Sequence, residues 1–192
     1  MEFQDAGELD GLEVKVAELL VATADESDHM IDGSVGEVLK LLRQKMKMDV
    51  VFVSEFTNGE RVFRCVDQTP GPESIAAGAS DPLEQTWCQR VVDGRMPELV
   101  ADVPAAQARG EVPALPAQIG TFLSTPIVLA GGEIYGTLCC FSYGINPKVT
   151  AQDVKTLRYT AQLTASKIGR ARKSNGELEW PTLPASEPVR KP

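Results

Sequence analysis

Four cysteines and one histidine bound the side-chain chemistry open to this 192-residue chain. Cys65, Cys88, Cys139 and Cys140 form no C-x-x-C pair, and His29 is the only imidazole. A structural zinc site needs four such ligands at short, regular spacing, so no metal site is expected, and the thiols read as reduced and mostly buried. A single histidine leaves no Ser-His-Asp relay to assemble, and there is no G-x-x-x-x-G-K-[ST] loop to cradle a phosphate. The set does allow thiol redox chemistry, which needs an attacking and a resolving thiol close together; Cys88 and Cys140 are the pair expected to face one cavity.

The elements that must hold these residues follow from apolar periodicity and turn chemistry. The most apolar stretch, Ile119 to Ser142, has two runs rich in β-branched and aromatic residues around Ala130-Gly131-Gly132-Glu133, and reads as a β-hairpin. Val50–Phe56 and Arg61–Asp67 form a second hairpin about Asn58-Gly59, and Glu98–Asp102 is a short strand. Leu9, Leu12, Val16, Leu19 and Thr23 make a narrow helical stripe that suits a helix-to-helix seam, followed by a break at Asp25–Asp32. A second helix is expected to start at Ser34, with Ser34 and Glu37 as a capping box and Val35, Val38, Leu39, Leu42 and Met46 packed on the sheet. Asp81-Pro82 is expected to cap and open a helix through Trp87, Cys88 and Val91 that ends at Asp93-Gly94. Residues 103–118, rich in Pro and Ala, read as loop with at most a short helix. Thr150 and Asp153 form another capping box before a long helix from Ala151 to about Lys173, striped by Val154, Leu157, Ala161 and Ile168. The tail 174–192 is proline-rich and is expected to be disordered or a linker.

The totals exclude several classes. Hydrophobic residues make up 43% and charged residues 24%, enough for a packed core. The net charge of −8, without a basic cluster, argues against nucleic acid or an anionic membrane as partner. No apolar run reaches the roughly 18 residues of a spanning helix, and MEFQDAGELDG lacks a basic and apolar leader, so a cytoplasmic location is expected.

By order of elements the chain is α+β with an antiparallel sheet. Three stretches then carry a resemblance: Asp49–Phe56 (DVVFVSEF), Asp81–Asp102 (DPLEQTWCQRVVDGRMPELVAD) and Ile134–Ser142 (IYGTLCCFS). From about residue 33 to 173 the chain resembles a GAF domain, the small-molecule sensor module of bacterial signalling proteins. The second stretch, with Cys88 and Asp102, is similar to GAF domains that accompany cyclic-di-GMP signalling enzymes. The resemblance implies a central antiparallel sheet of about six strands, terminal helices on one face that form a homodimer, and a variable helical and loop segment over a ligand pocket on the other. It divides the chain into an N-terminal helical extension (1–32), the GAF domain (33–173) and the tail (174–192). The tail leaves no room for a further enzymatic domain, so the expectation is a stand-alone sensor or a piece of a longer protein with a downstream signalling enzyme as partner.

Strand alternation separates two faces. One set mixes aromatic and small polar residues: Phe52, Ser54 and Phe56; Phe122, Ser124 and Pro126; Leu138, Cys140 and Ser142. The other is plainer: Val51 and Val53; Leu123 and Ile127; Cys139 and Phe141. A small-molecule site is mostly apolar with a few placed polar groups, so the mixed set is assigned to the pocket. The alternative is that Ser54, Ser124 and Ser142 bond to nearby backbone and line nothing. Trp87, Cys88 and Val91 close the pocket from the helical side. Asp102 either accepts from a ligand N–H or caps a local turn. The bound molecule is unidentified; a covalent tetrapyrrole and haem are disfavoured because His29 lies outside the domain core. The function expected is a non-catalytic, ligand-binding dimeric sensor. The alternatives are a dimerisation scaffold with a closed pocket and a cysteine-dependent free methionine sulfoxide reductase, whose family's cysteine pattern is absent from residues 89–118.

Overall fold

The computed structural model describes residues 11–21, 29–71 and 74–175. The expectations for Leu9, Thr23, residues 25–28 and the tail beyond 175 lie outside the described residues. Six strands, β1 (Val50–Thr57), β2 (Glu60–Gln68), β3 (Ser80–Pro82), β4 (Leu99–Val100), β5 (Thr121–Val128) and β6 (Ile134–Ser142), form one antiparallel sheet in the order β3-β2-β1-β6-β5-β4. Helices α1 (Gly11–Val21), α2 (His29–Met46) and α5 (Ala151–Asn175) cover one face. Helices α3 (Trp87–Val92) and α4 (Val103–Ala108) and the loops around them cover the other. This is the α+β architecture expected.

The hairpins form where the turn residues place them. Asn58 and Gly59 both take positive φ, 52° and 76°, as a tight hairpin between β1 and β2 needs. Gly132, at φ 83°, does the same between β5 and β6. Asp153 reaches back to the Thr150 amide at 2.8 Å and so caps the start of α5.

Three expectations fail for identifiable reasons. First, α2 begins at His29 rather than Ser34, so the helix runs through part of the expected break. Ser34 is not a cap; its buried hydroxyl accepts from the Lys167 ammonium at 2.6 Å and ties α2 to α5. Second, Asp81-Pro82 closes β3 instead of opening a helix, and a 3-10 turn (Leu83–Gln85) follows. The cap of α3 is Thr86, whose hydroxyl accepts from the Gln89 amide at 3.2 Å. Third, the stripe assigned to a dimer seam is spent within one chain. Leu12 and Val16 are buried, as are Leu157, Ala161 and Ile168, and all belong to one cluster with Val51, Val53, Leu123 and Ile127 of the sheet. Helix α1 lies on α2 and α5, and Thr156 of α5 donates to the buried carboxylate of Glu13. A narrow stripe fits here because α1 packs mainly on two helices, as a third piece of the same layer.

The loop after β6 is pinned by Asn146. Its side-chain amide donates to the carbonyls of Met46 and Lys47 at 2.9 and 3.2 Å, its backbone N–H donates to Thr121 Oγ1 at 2.8 Å, and its side-chain oxygen accepts from the Lys148 amide. One residue thus joins the end of α2, the start of β5 and the approach to α5.

Candidate functional site: an aromatic cavity beside a thiol pair

The face of the sheet away from the long helices carries Val50, Phe52, Phe63, Phe122, Cys139 and Phe141 in one buried cluster with Trp87 and Cys88 of α3. Residues directly opposite on paired antiparallel strands share a face. Phe52 pairs with Cys139 and Phe122 with Phe141, whereas Val51 pairs with Cys140 and Val53 with Leu138. The division read from β1 and β5 is therefore correct, and that read from β6 is displaced by one residue. Leu138 and Cys140 belong to the helix-facing cluster, and Cys139 and Phe141 to the cavity side. A one-residue slip exchanges the two faces of a strand, and β6 offered no sequence contrast to prevent it because both of its faces are apolar and buried.

Between this face, α3 and the loops on either side lies a cavity of about 490 Å³, within the usual range for a small-molecule site. Phe52, Phe122 and Phe141 form its floor, and Trp87, Ile119 and Leu115 its walls. Ile75 and Ala76 cover it from the loop between β2 and β3. Trp87 and Phe122 meet edge to face, with centroids 5.2 Å apart.

Arg61 of β2 is the main polar group in the wall. Its guanidinium sits over the Phe63 ring at 4.4 Å and near Phe52 at 5.5 Å. One terminal nitrogen pairs with the Asp81 carboxylate and the other donates to Cys88 Sγ at 3.4 Å. Arg61 Nε and the indole N–H of Trp87 are buried and have no hydrogen-bond partner among the described residues.

Of the residues expected to bind ligand, Phe52, Trp87 and Phe122 line this cavity. Ser54, Phe56, Cys88, Val91 and Ser124 are on the same side of the sheet or in the covering helix but do not line it. The hydroxyls are satisfied inside that layer: Ser54 bonds Thr137 at 2.9 Å and Ser124 bonds Cys139 Sγ at 2.8 Å. Asp102 is exposed and caps α4, accepting from the Ala105 amide at 2.9 Å. Arg61 and Asp81 were missed. A bulge at Arg64 of β2, opposite Val53 and Ser54 of β1, shifts the pairing, so Phe63 faces the cavity side while Cys65 turns to the helices. Simple alternation along β2 cannot show this.

Cys88 and Cys139 are both fully buried with their sulfurs 3.2 Å apart. The hydrogen bond from Cys139 and the charge of Arg61 outweigh burial and pull the Cys88 thiol down to about 5, from the usual 9.0. Burial and the neighbouring Cys88 push Cys139 up. For a thiol lowered in the fold, the thiolate's contribution to stability is complete above 9.0 and is lost as pH falls towards 5. Thiolate ultraviolet absorbance in native protein should therefore persist at neutral pH, vanish on acidification through about 5, and be missing from Cys88→Ser. An absorbance that appears only near the ordinary thiol value would contradict this assignment.

A GAF domain family model matches residues 31–168. The chain belongs to the GAF domain family. Solved structures repeat the fold. The GAF domain of an Acinetobacter phosphoenolpyruvate-protein phosphotransferase is 12% identical, with a TM-score of 0.66 over 89% of this chain and 100% of its own. Free methionine-R-sulfoxide reductase from Neisseria meningitidis, in complex with its substrate, is 16% identical, with a TM-score of 0.64 over 91% and 99%. The phycoerythrobilin-bound GAF domain of a cyanobacterial phytochrome is 12% identical, with a TM-score of 0.65 over 87% and 98%. No curated protein sequence matches. GAF domains generally act as sensor or regulatory modules, although a few proteins of this fold are enzymes. Among the described residues, no helix of this GAF domain is long and apolar enough to cross a membrane.

Proposed function

We propose that this GAF domain is a regulatory sensor that binds a small, largely apolar molecule in the aromatic cavity. The observation that carries the reading is the pair of buried donors, Arg61 Nε and Trp87 Nε1, in the wall of a 490 Å³ aromatic space. A buried N–H without a partner costs roughly 1–3 kcal/mol, and a ligand with acceptor atoms removes that cost on binding. Because Arg61 is already paired with Asp81, the site favours a neutral acceptor over a strong anion. The same cavity weighs against a scaffold whose pocket has closed. Output through a partner enzyme, including one of cyclic-di-GMP signalling, rests on the likeness of Asp81–Asp102 to the GAF domains of such systems. Dimerisation is proposed on the outer surfaces of the terminal helices, where Val14 is 41% exposed; a monomer at micromolar concentration in light scattering argues against it.

Native mass spectrometry of the purified chain, which reports oligomer and retained ligand together, tests this reading. Ala117→Trp fills the cavity from a half-buried loop position. Retention of the co-purified molecule should fall at least tenfold, while stability changes by no more than about 0.5 kcal/mol. Equal retention by Ala117→Trp places the ligand elsewhere.

A reductase is the second reading, because the fold is shared with free methionine sulfoxide reductase. Cys88 and Cys140 cannot supply it, since the sheet separates them. Cys88 and Cys139 are adjacent but do not line the cavity, which favours the regulatory reading. A thiol-dependent sulfoxide assay on the wild type and on Cys88→Ser decides between the two.

A further inference from the structure

We propose that Cys88 and Cys139 are a reversible disulfide site, oxidised by hydrogen peroxide or another small peroxide and reduced by a dithiol. This goes beyond ligand sensing, since neither thiol lines the cavity.

The geometry supplies what an intramolecular disulfide needs. The sulfurs are 3.2 Å apart although the residues are 51 positions apart in sequence, one on α3 and the other on β6. Their surroundings are unequal. Cys88 faces the Arg61 guanidinium, which stabilises a thiolate. Cys139 lies beside hydroxyls, with Ser124 Oγ at 2.8 Å and Thr137 Oγ1 at 3.3 Å, and its full burial favours the protonated thiol. That asymmetry assigns Cys88 as the attacking sulfur and Cys139 as the resolving one. The lowered Cys88 and raised Cys139 thiols agree with the assignment. Cys140 is buried on the opposite face, and Cys65 packs against the helix-side cluster.

Access runs through the cavity. Arg61 is part of its wall and donates to Cys88 Sγ. A peroxide-sized molecule reaches the sulfur when this guanidinium moves aside. The Cys88 thiolate attacks one peroxide oxygen, the O–O bond breaks, and the departing hydroxide takes a proton to leave as water. Cys88 is then a sulfenic acid. The Cys139 sulfur attacks the Cys88 sulfur, the S–S bond forms, the S–O bond breaks, and the Cys139 proton goes to the leaving hydroxide as a second water. The net change is two thiols and one hydrogen peroxide to one disulfide and two waters. Reduction by a dithiol returns both thiols and leaves the reductant as its own disulfide. Oxidation ties α3 covalently to β6 and deprives Arg61 of its partner at Cys88.

The test treats the full chain with a small excess of hydrogen peroxide at neutral pH, unfolds it, alkylates free thiols and maps the peptides. The expected result is a mass loss of two hydrogens, a linked peptide pair containing Cys88 and Cys139, alkylation of Cys65 and Cys140, and reversal by dithiothreitol. Cys139→Ser should leave Cys88 as a sulfenic acid that dimedone traps, whereas Cys88→Ser should give no dimedone adduct at position 139. Arg61→Met should slow disulfide formation at neutral pH by about tenfold or more, because less of Cys88 is thiolate. The wild-type map needs no variant to fold. The proposal is overturned if Cys88 and Cys139 remain alkylatable after Cys65 is oxidised, if Cys88 gains oxygen without a disulfide in the wild type, or if the product links two chains.

Discussion

Gly136→Ala should destabilise the domain by about 4 kcal/mol or more, a large part of the roughly 5–15 kcal/mol that holds a domain of this size together. Gly136 lies in β6 opposite Glu55 of β1 and Ile127 of β5, in the middle of the sheet. A Cβ built there would fall inside the Ser54 carbonyl and against the Glu55 backbone. These are main-chain atoms, so no side-chain rotation relieves the clash. Relief requires β1 and β6 to part, which breaks the pairing that sets the cavity face opposite the helix face. Gly131→Ala is the matched control, since nothing lies within 4 Å of its added carbon. Urea denaturation should give midpoints far below the wild type for Gly136→Ala and within about 0.5 kcal/mol of it for Gly131→Ala. Similar midpoints for both would show that β1 and β6 are farther apart at Gly136 than described.

Trp87→Ala should have the next largest effect, about 3 kcal/mol, together with loss of ligand retention. Trp87 is 2% exposed, begins α3 and meets Phe122 edge to face. Aromatic-to-alanine changes in cores cost about 3–5 kcal/mol, and the lower end applies because the vacated space joins an existing cavity that water can enter. Trp87→Phe separates packing from hydrogen bonding. It keeps an aromatic ring, so stability should fall by less than about 1.5 kcal/mol, but it removes the buried indole donor. Native mass spectrometry should then show weakened retention in both variants, and chemical denaturation a large loss only in Trp87→Ala. Full retention by Trp87→Phe would remove the indole N–H from the recognition scheme.

The parts of the fold that could be read from sequence are those where local chemistry leaves one solution. Asn58-Gly59 can hardly be anything but a hairpin turn, and the Thr150–Asp153 box forms as written. The apolar stripe of α2 finds the sheet, and Val51 and Val53 face the helices as their alternation implies. The failures share a cause: a local signal was overruled by a partner distant in sequence. Ser34 has the form of a cap but bonds Lys167, and Asp81 has the form of a cap but pairs with Arg61. The narrow stripe of α1 was read as an intermolecular seam because sequence cannot show that two other helices of the same chain lie beneath it. The site was legible in its aromatics, Phe52, Trp87 and Phe122, and illegible in its polar groups. Arg61 is placed by a bulge, and the choice of Cys139 over Cys140 as partner of Cys88 depends on the register of a strand apolar on both sides.

The attachment of Asn146 to Met46, Lys47 and Thr121 has a mechanical consequence. It makes the root of α5 a fulcrum, fixed at once to the preceding helix layer and to the strand that carries Phe122. A tilt of β5 and β6 under a ligand or a new covalent bond cannot be absorbed by slack in the connection. It is expected to reach α5 as torque about that fulcrum, with displacement growing along the 25 residues of the helix and greatest at its far end, Asn175.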